Sequence, residues 1–338
     1  MDTTILGLSL LLVAGGMNGS FTLPMKFTRQ WAWENTWLAY TVFALGIFPP
    51  LLTLLTIPAI GQVYGQAGAG PVAVVAVFGA GWGISQVFFG LAVDAVGIAL
   101  AFSVILGVSA AVGSLIPLIR LHPEMVLTPA GFAVLSGIAL VLLGVGVCAV
   151  AGRRREAALG KGPSGKPSVG KGLVFCLISG LGSALVNFGL AFGTPLIQAA
   201  RSTETSALWA PNAVWLPLMW AGGIPNIIYC LYLMRKNRTG RRFGISGSGS
   251  HWALAAAMAL FWFGSTVIYG VATVKLGDLG AVLGWPLFMS VIVITASIWG
   301  VVTGEWRDTG KQPLRIMWAG VAVLVLSVFV LSAATRWV

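Results

Sequence analysis

The chain has 338 residues, 57% of them hydrophobic and only 9% charged, against roughly 25% charged in an ordinary soluble domain. Its 20 Lys and Arg and 9 Asp and Glu cannot coat a water-facing surface of that size, and the mean hydropathy of +0.92 agrees, so a soluble globular protein is excluded and the bilayer is left as solvent. The net charge of +11 would suggest nucleic acid in a soluble chain, but its distribution along the sequence gives it another meaning.

A hydrocarbon core about 30 Å thick takes about 20 helical residues. Ten stretches reach that length: 5–25, 36–57, 71–93, 96–119, 129–151, 172–196, 207–234, 252–274, 279–302 and 313–333. They are numbered spans 1 to 10. Span 1 follows Asp2 without a basic leader region and stays apolar through Asn18, which reads as a membrane span and not a cleaved signal. Trp31-Ala32-Trp33-Glu34 opens span 2, Trp82 and Gln86 lie in span 3, and Asp94 falls in a very short turn before span 4, which carries Ser103. After span 5 the stretch 152–171 is made of Arg, Lys, Gly, Pro and Ser, the composition of a flexible linker. It divides the chain into 1–151 and 172–338, with five spans each. Span 6 holds Asn187, span 7 Asn226, span 8 Trp262, Thr266 and Tyr269, and span 9 Trp285 and Phe288.

Cytoplasmic loops hold the excess of Lys and Arg. The connections after odd-numbered spans carry Lys26, Arg29, Arg153, Arg154, Arg155, Lys161, Lys166, Lys171, Arg235, Lys236, Arg238, Arg241, Arg242, Arg307, Lys311 and Arg315, sixteen in all. The other side carries four: Arg120, Arg201, Lys275 and Arg336. Both termini are therefore expected outside the cytoplasm, the basic surplus is a topology signal at a lipid bilayer, and no nucleic-acid partner is expected.

The two halves resemble each other faintly. Gly7-Leu8 and Ala14-Gly15 of span 1 recur at the same spacing as Gly172-Leu173 and Ser179-Gly180, and Phe89-Gly90-Leu91-Ala92 recurs as Tyr269-Gly270-Val271-Ala272. An odd number of spans per half makes the second copy inverted. Glycine pairs four apart, such as Gly79 and Gly83, let helix backbones approach.

Several motifs carry no chemistry. Gly160 to Lys166 imitates a phosphate loop, but Pro167 stands where a hydroxyl must hold Mg²⁺ and no strand precedes it. Cys148, Cys176 and Cys230 are scattered through apolar runs, far from His122 and His251, so neither a metal nor another cofactor is expected. The nine carboxylates fall at or beyond span ends with no catalytic cluster, which argues against an enzyme. Glu305 and Asp308 beside Arg307 and Lys311 read as a solvated helix end.

Inside the spans the polar residues are uncharged, and for any one amide a helix-to-helix hydrogen bond is a sufficient explanation. As a group they sit among aromatics: Trp82 is four residues before Gln86 and Trp262 four before Thr266. Amides beside flat rings suit a sugar, which has hydroxyls at its edge and C–H groups on its face. The candidate substrate-binding residues are Asn18, Trp82, Gln86, Ser103, Asn187, Trp262, Thr266, Tyr269 and Trp285, with Gln86 and Asn187 expected on a common cavity. Glu34 has two readings: a carboxylate at a helix start facing the dipole and pairing with Lys26 and Arg29, or a proton-coupling group.

Pro24-Met25-Lys26 leading to Trp31-Ala32-Trp33-Glu34, Phe78-Gly79-Ala80-Gly81-Trp82-Gly83 with Gln86, Gly172-Leu173 and Gly304-Glu305-Trp306 together resemble the L-rhamnose–proton symporter family of the drug/metabolite transporter superfamily. The resemblance implies an all-α fold of 5 + 5 inverted repeats and a cavity lined by spans 1, 3, 4, 6, 8 and 9. It also implies proton-coupled import of L-rhamnose or a similar 6-deoxyhexose across the bacterial cytoplasmic (inner) membrane. The stretch 279–290 departs from the family by being apolar apart from Trp285 and Ser290, where the family is richer in Tyr, Asp and His. An exporter or facilitator of another small metabolite stays open on the same scaffold. The charge bias makes the first prediction: cysteines placed at Ser164 and Ser248 react with impermeant reagents only from the cytoplasmic side, and labelling from outside at either position reverses the topology.

Overall fold

The computed structural model describes residues 3–160 and 169–335; positions 161–168 of the linker, Ser164 among them, and Arg336 lie outside them. The described chain is helical throughout its regular structure, and ten helices are long and apolar enough to cross a membrane. They are Thr3–Phe27, Trp33–Thr56, Ala69–Val93, Leu100–Leu121, Pro129–Ala158, Gly170–Arg201, Asn212–Asn237, Ser248–Lys275, Gly277–Val302 and Lys311–Ala334, in one-to-one correspondence with spans 1 to 10. This is a multi-pass membrane protein.

The differences from the sequence expectation have local causes. The helix of span 3 runs Ala69–Val96 and the next begins at Ile98, so residue 94 is helical instead of lying in a turn. The whole turn is Gly97, whose φ of +83° is open to a residue without Cβ. The helix of span 5 continues to Ala158, past the point where the basic composition begins. A short helix, Ile60–Ala67, lies between spans 2 and 3; it is too short to span and packs on the end of span 6.

Prolines shape the spans because each lacks the N–H that would bond the carbonyl four residues earlier. With no water in the hydrocarbon, that carbonyl needs another donor. Five receive one. Pro50 frees Gly46, which accepts from Trp220 Nε1 at 3.2 Å, and the chain just before it relaxes into a π-helical segment, Val42–Ile47. Pro117 frees Gly113, taken by Asn187 Nδ2 at 2.7 Å. Pro195 frees Ala191, taken by the Thr194 hydroxyl at 3.1 Å, and span 6 breaks there between Leu185–Phe192 and Thr194–Arg201, with a second break at Ala184 after Val169–Ser183. Pro217 frees Ala213, taken by the Tyr64 hydroxyl at 3.0 Å, and Pro286 frees Val282, taken by Ser114 Oγ at 2.6 Å.

The spans pair in a regular way. Span 1 packs on spans 8 and 9, and span 6 on spans 3 and 4; span 3 packs on 7 and span 8 on 2; span 4 packs on 5 and span 9 on 10. Spans 2 and 7, 5 and 10, and 4 and 9 face one another. Exchanging each span for the one five places away maps these pairings onto themselves. Spans 3 and 7 meet at glycine: a Cβ on Gly79 would strike the Leu218 carbonyl and one on Gly83 the Gly222 carbonyl, whereas one on Gly90, in the same helix, meets open space. Gly79→Ala and Gly83→Ala are therefore expected to cost about 1–3 kcal/mol through overpacking against backbone, read as a lower melting temperature of the purified protein. Gly90→Ala is the control and should melt with the parent.

Candidate functional site

The residues singled out from sequence divide among three polar or aromatic clusters of the interior. At mid-span the Trp82 indole of span 3 stacks on the Trp262 indole of span 8, with centroids 5.3 Å apart and an interplanar angle of 17°. Tyr40 meets Trp262 edge-on at 6.2 Å, and Trp37 joins Tyr40 at 5.0 Å and stacks on Trp33. Trp37 Nε1 donates to Asn226 Oδ1 at 3.3 Å while Asn226 Nδ2 donates to the Gly222 carbonyl at 3.0 Å, which fixes this wall to span 7. Gln86 and Thr266 follow the two stacked indoles by one turn each; Gln86 is half-buried, and the Thr266 hydroxyl donates to the Trp262 carbonyl. Asn18, nearby on span 1, donates to Ser265 Oγ at 2.9 Å, a helix-to-helix bond.

The second cluster is a buried knot around Asn187. Its Nδ2 donates to the carbonyls of Gly113 at 2.7 Å and Ala281 at 3.1 Å, and its Oδ1 accepts from the Tyr269 hydroxyl at 2.5 Å. One fully buried amide thus joins spans 4, 6, 8 and 9. Tyr269 packs on Trp285 and Phe288, and Trp285 Nε1 donates to the Ser109 carbonyl at 2.9 Å. Ala281 and Trp285 lie in the first half of span 9, so the knot belongs to the end of the molecule opposite the basic loops.

The third is a cleft at the basic end, with a volume of about 290 Å³, between spans 1, 4, 5 and 9. Ser103 is the one residue of the nine that lines it; Gln86 and Asn187 do not, and they are held in different clusters. At its mouth Glu305 Oε1 accepts from Lys26 Nζ at 2.5 Å and its Oε2 from Arg155 at 2.7 Å. Lys26 also donates to Thr303 Oγ1 at 2.7 Å, and the Arg155 guanidinium lies 5.3 Å over the Trp306 ring. Burial by itself raises the Glu305 pKa, but the hydrogen bonds and charges of Lys26 and Arg155 outweigh it and hold the carboxyl below its ordinary range. Glu305 stands just beyond the end of the span 9 helix, as its sequence suggests, but its ion pairs are with Lys26 and Arg155. Its partners come from the ends of spans 1 and 5, far away in sequence, and no local spacing announces them.

Glu34 does not take Lys26 or Arg29 as its hydrogen-bonding partner. Its Oε1 accepts from Thr239 Oγ1 at 2.7 Å and Asn237 Nδ2 at 3.1 Å, just after and at the end of span 7, and the neighbouring Asn35 donates to the Thr239 carbonyl. Lys26 is drawn away because Glu305 and Thr303 offer it two oxygens at the cleft.

A ten-span bundle with a cleft at one end, a sealed knot toward the other and stacked aromatic rings at mid-span is built as a membrane carrier of a small solute. The chain belongs to the L-rhamnose-proton symport protein (RhaT) family, whose model matches residues 1–335. It is 26% identical over 333 residues to proteins named L-rhamnose-proton symporter from Yersinia pestis (strain Pestoides F) and Yersinia pseudotuberculosis serotype O:3 (strain YPIII), with 96% of each chain covered. It is likewise 26% identical over 330 residues, again 96% of each, to the protein of that name from Mannheimia succiniciproducens.

The knot makes a prediction of its own. Asn187→Leu leaves two carbonyls and a tyrosine hydroxyl without their partner in a buried site, at a cost of about 1–3 kcal/mol. The purified variant should melt below the parent; an unchanged melting temperature would show that these groups find other partners.

Proposed function

We propose that this protein imports L-rhamnose, or a 6-deoxyhexose of similar shape, together with protons across the bacterial cytoplasmic membrane. The observation that carries the reading is the family match along the whole chain, with relatives of that name aligned over 96% of their length. The interior chemistry is consistent with it: a neutral ring with hydroxyl edges and C–H faces suits the mid-span aromatics with Gln86 and Thr266 beside them. Ser103 belongs to the exit side of the same path.

The proposed mechanism is alternating access by two inverted repeats, 1–151 and 172–338, joined by the charged linker. The pairing of spans that survives a shift of five supports it, as does the stacking of Trp82 on Trp262, which stand at corresponding places of the recurring Phe89 and Tyr269 segments. With the basic loops in the cytoplasm and both termini outside, the structure is the cytoplasm-facing state: the cleft opens inward and the Asn187 knot closes the outside. Parting of the two indoles would admit the sugar between their faces. In the same scheme Glu34 is the coupling carboxylate. It is 5% exposed, and both its side-chain donors sit on the far side of the contact between spans 2 and 7, so a movement that separates those spans changes what solvates it.

The test is uptake of labelled L-rhamnose into proteoliposomes with and without an inward proton gradient. Accumulation above equilibrium only with the gradient is expected, and Glu34→Gln should retain exchange down the sugar gradient while losing accumulation. Transport indifferent to pH would favour a facilitator, net outward movement an exporter, and accumulation that survives in Glu34→Gln places the coupling elsewhere.

A further inference from the structure

The cleft at the basic end holds more chemistry than an exit passage needs. We infer that it is a second sugar-binding subsite, on the release side, in which Glu305, Arg155 and Lys26 take the hydroxyls of the departing ring. The inference rests on the reading of the solute as a neutral sugar.

The charges select the ligand class. The cleft presents one carboxylate between two cations, each carboxylate oxygen already engaged by one of them. A cation entering here meets the excess of positive charge, and an anion would have to compete with Glu305 for the two cations it already engages. A neutral polyol meets neither penalty, because hydroxyls donate to the remaining lone pairs of the carboxylate and accept from the cations. One donor is in fact unused: Arg155 Nε is buried and has no hydrogen-bond partner, although its guanidinium bonds Glu305 through another nitrogen. A buried polar group without a partner is costly, and a turn of the guanidinium that brings this nitrogen to the cleft wall would let a hydroxyl oxygen remove that cost.

The remainder of the lining fits the same ligand. Thr22 and Ser297 add hydroxyls, and Trp299 and Trp306 add indoles. The Trp299 N–H is turned away to Ser20 Oγ at 2.7 Å, so its ring serves as an apolar surface. The volume of about 290 Å³ lies at the lower end of small-ligand pockets, the size class of a single sugar ring. Neither Trp82 nor Trp262 lines the cleft, so it is a place distinct from the mid-span stack.

The chain carries its own reporter. Cys148 lines the cleft and is partly exposed, while Cys176 and Cys230 are fully buried. The experiment is the rate of Cys148 alkylation by N-ethylmaleimide in the purified full-length protein, followed by intact mass over a titration of L-rhamnose, with Cys148→Ser as the blank. L-rhamnose is expected to slow the reaction. In Glu305→Gln and Lys26→Met the half-protecting concentration, each variant measured against its own sugar-free rate, should rise about tenfold, the loss of a charge-assisted hydrogen bond. Two results overturn the subsite while leaving the sugar reading intact: transport of L-rhamnose without protection of Cys148, or protection whose half-concentration is unshifted in both variants, which means a sugar held at mid-span shields the thiol indirectly. L-rhamnose that is neither transported nor protective overturns the sugar reading and the subsite with it.

Discussion

A carbonyl in hydrocarbon has no water to fall back on, and the packing of this protein is arranged around that fact. Prolines at 50, 117, 217 and 286 each strip a backbone bond from a span, and each stripped carbonyl is met by a side chain from a different element. The repairs are also the joints: Trp220 ties span 7 to span 2, Asn187 ties span 6 to span 4, Ser114 ties span 4 to span 9. An interhelical bond between two side chains in a membrane is worth roughly 0.6 kcal/mol, because both ends have alternatives. A side chain that answers a proline-freed carbonyl has a partner with fewer alternatives, so these positions hold the spans in register more firmly than their number suggests.

Two carboxylates show how little of such a site is written locally. Glu34 and Glu305 both stand at the basic ends of spans with Lys or Arg a few residues away in sequence. In the fold one is held mainly by uncharged donors at and just after the end of span 7, and the other is wedged between two cations. The same residue type in the same setting by sequence thus yields hydrogen bonds from uncharged side chains in one place and an ionic cluster in the other.

The ten spans were legible because the bilayer demands a length, and ten apolar runs supply it without competition from other structures. Element ends were less so where a single residue decides: Gly97 alone replaces an expected turn, and a helix as short as Ile60–Ala67 leaves too little periodicity to notice. The amides were recognised as unusual, but a sequence shows only that Asn187 must find partners. That it would find the carbonyls of Gly113 and Ala281 depends on Pro117 freeing the first of them in a neighbouring helix and on the approach of span 9. The ion cluster at the cleft was invisible for the same reason, since Lys26, Arg155 and Glu305 come from three distant connections.

The elbow at Gly97 has a mechanical meaning. With one residue between the helices Ala69–Val96 and Ile98–Leu121, there is little slack to absorb a tilt of the first, so any tilt of span 3 would be passed on to span 4. That second lever arm carries Ser103 at the cleft near its base and Gly113 in the knot farther along. One helix therefore reaches both the solvent-facing hollow and the opposite seal, and lengthening the elbow by a flexible insertion would uncouple span 3 from that helix without touching either end.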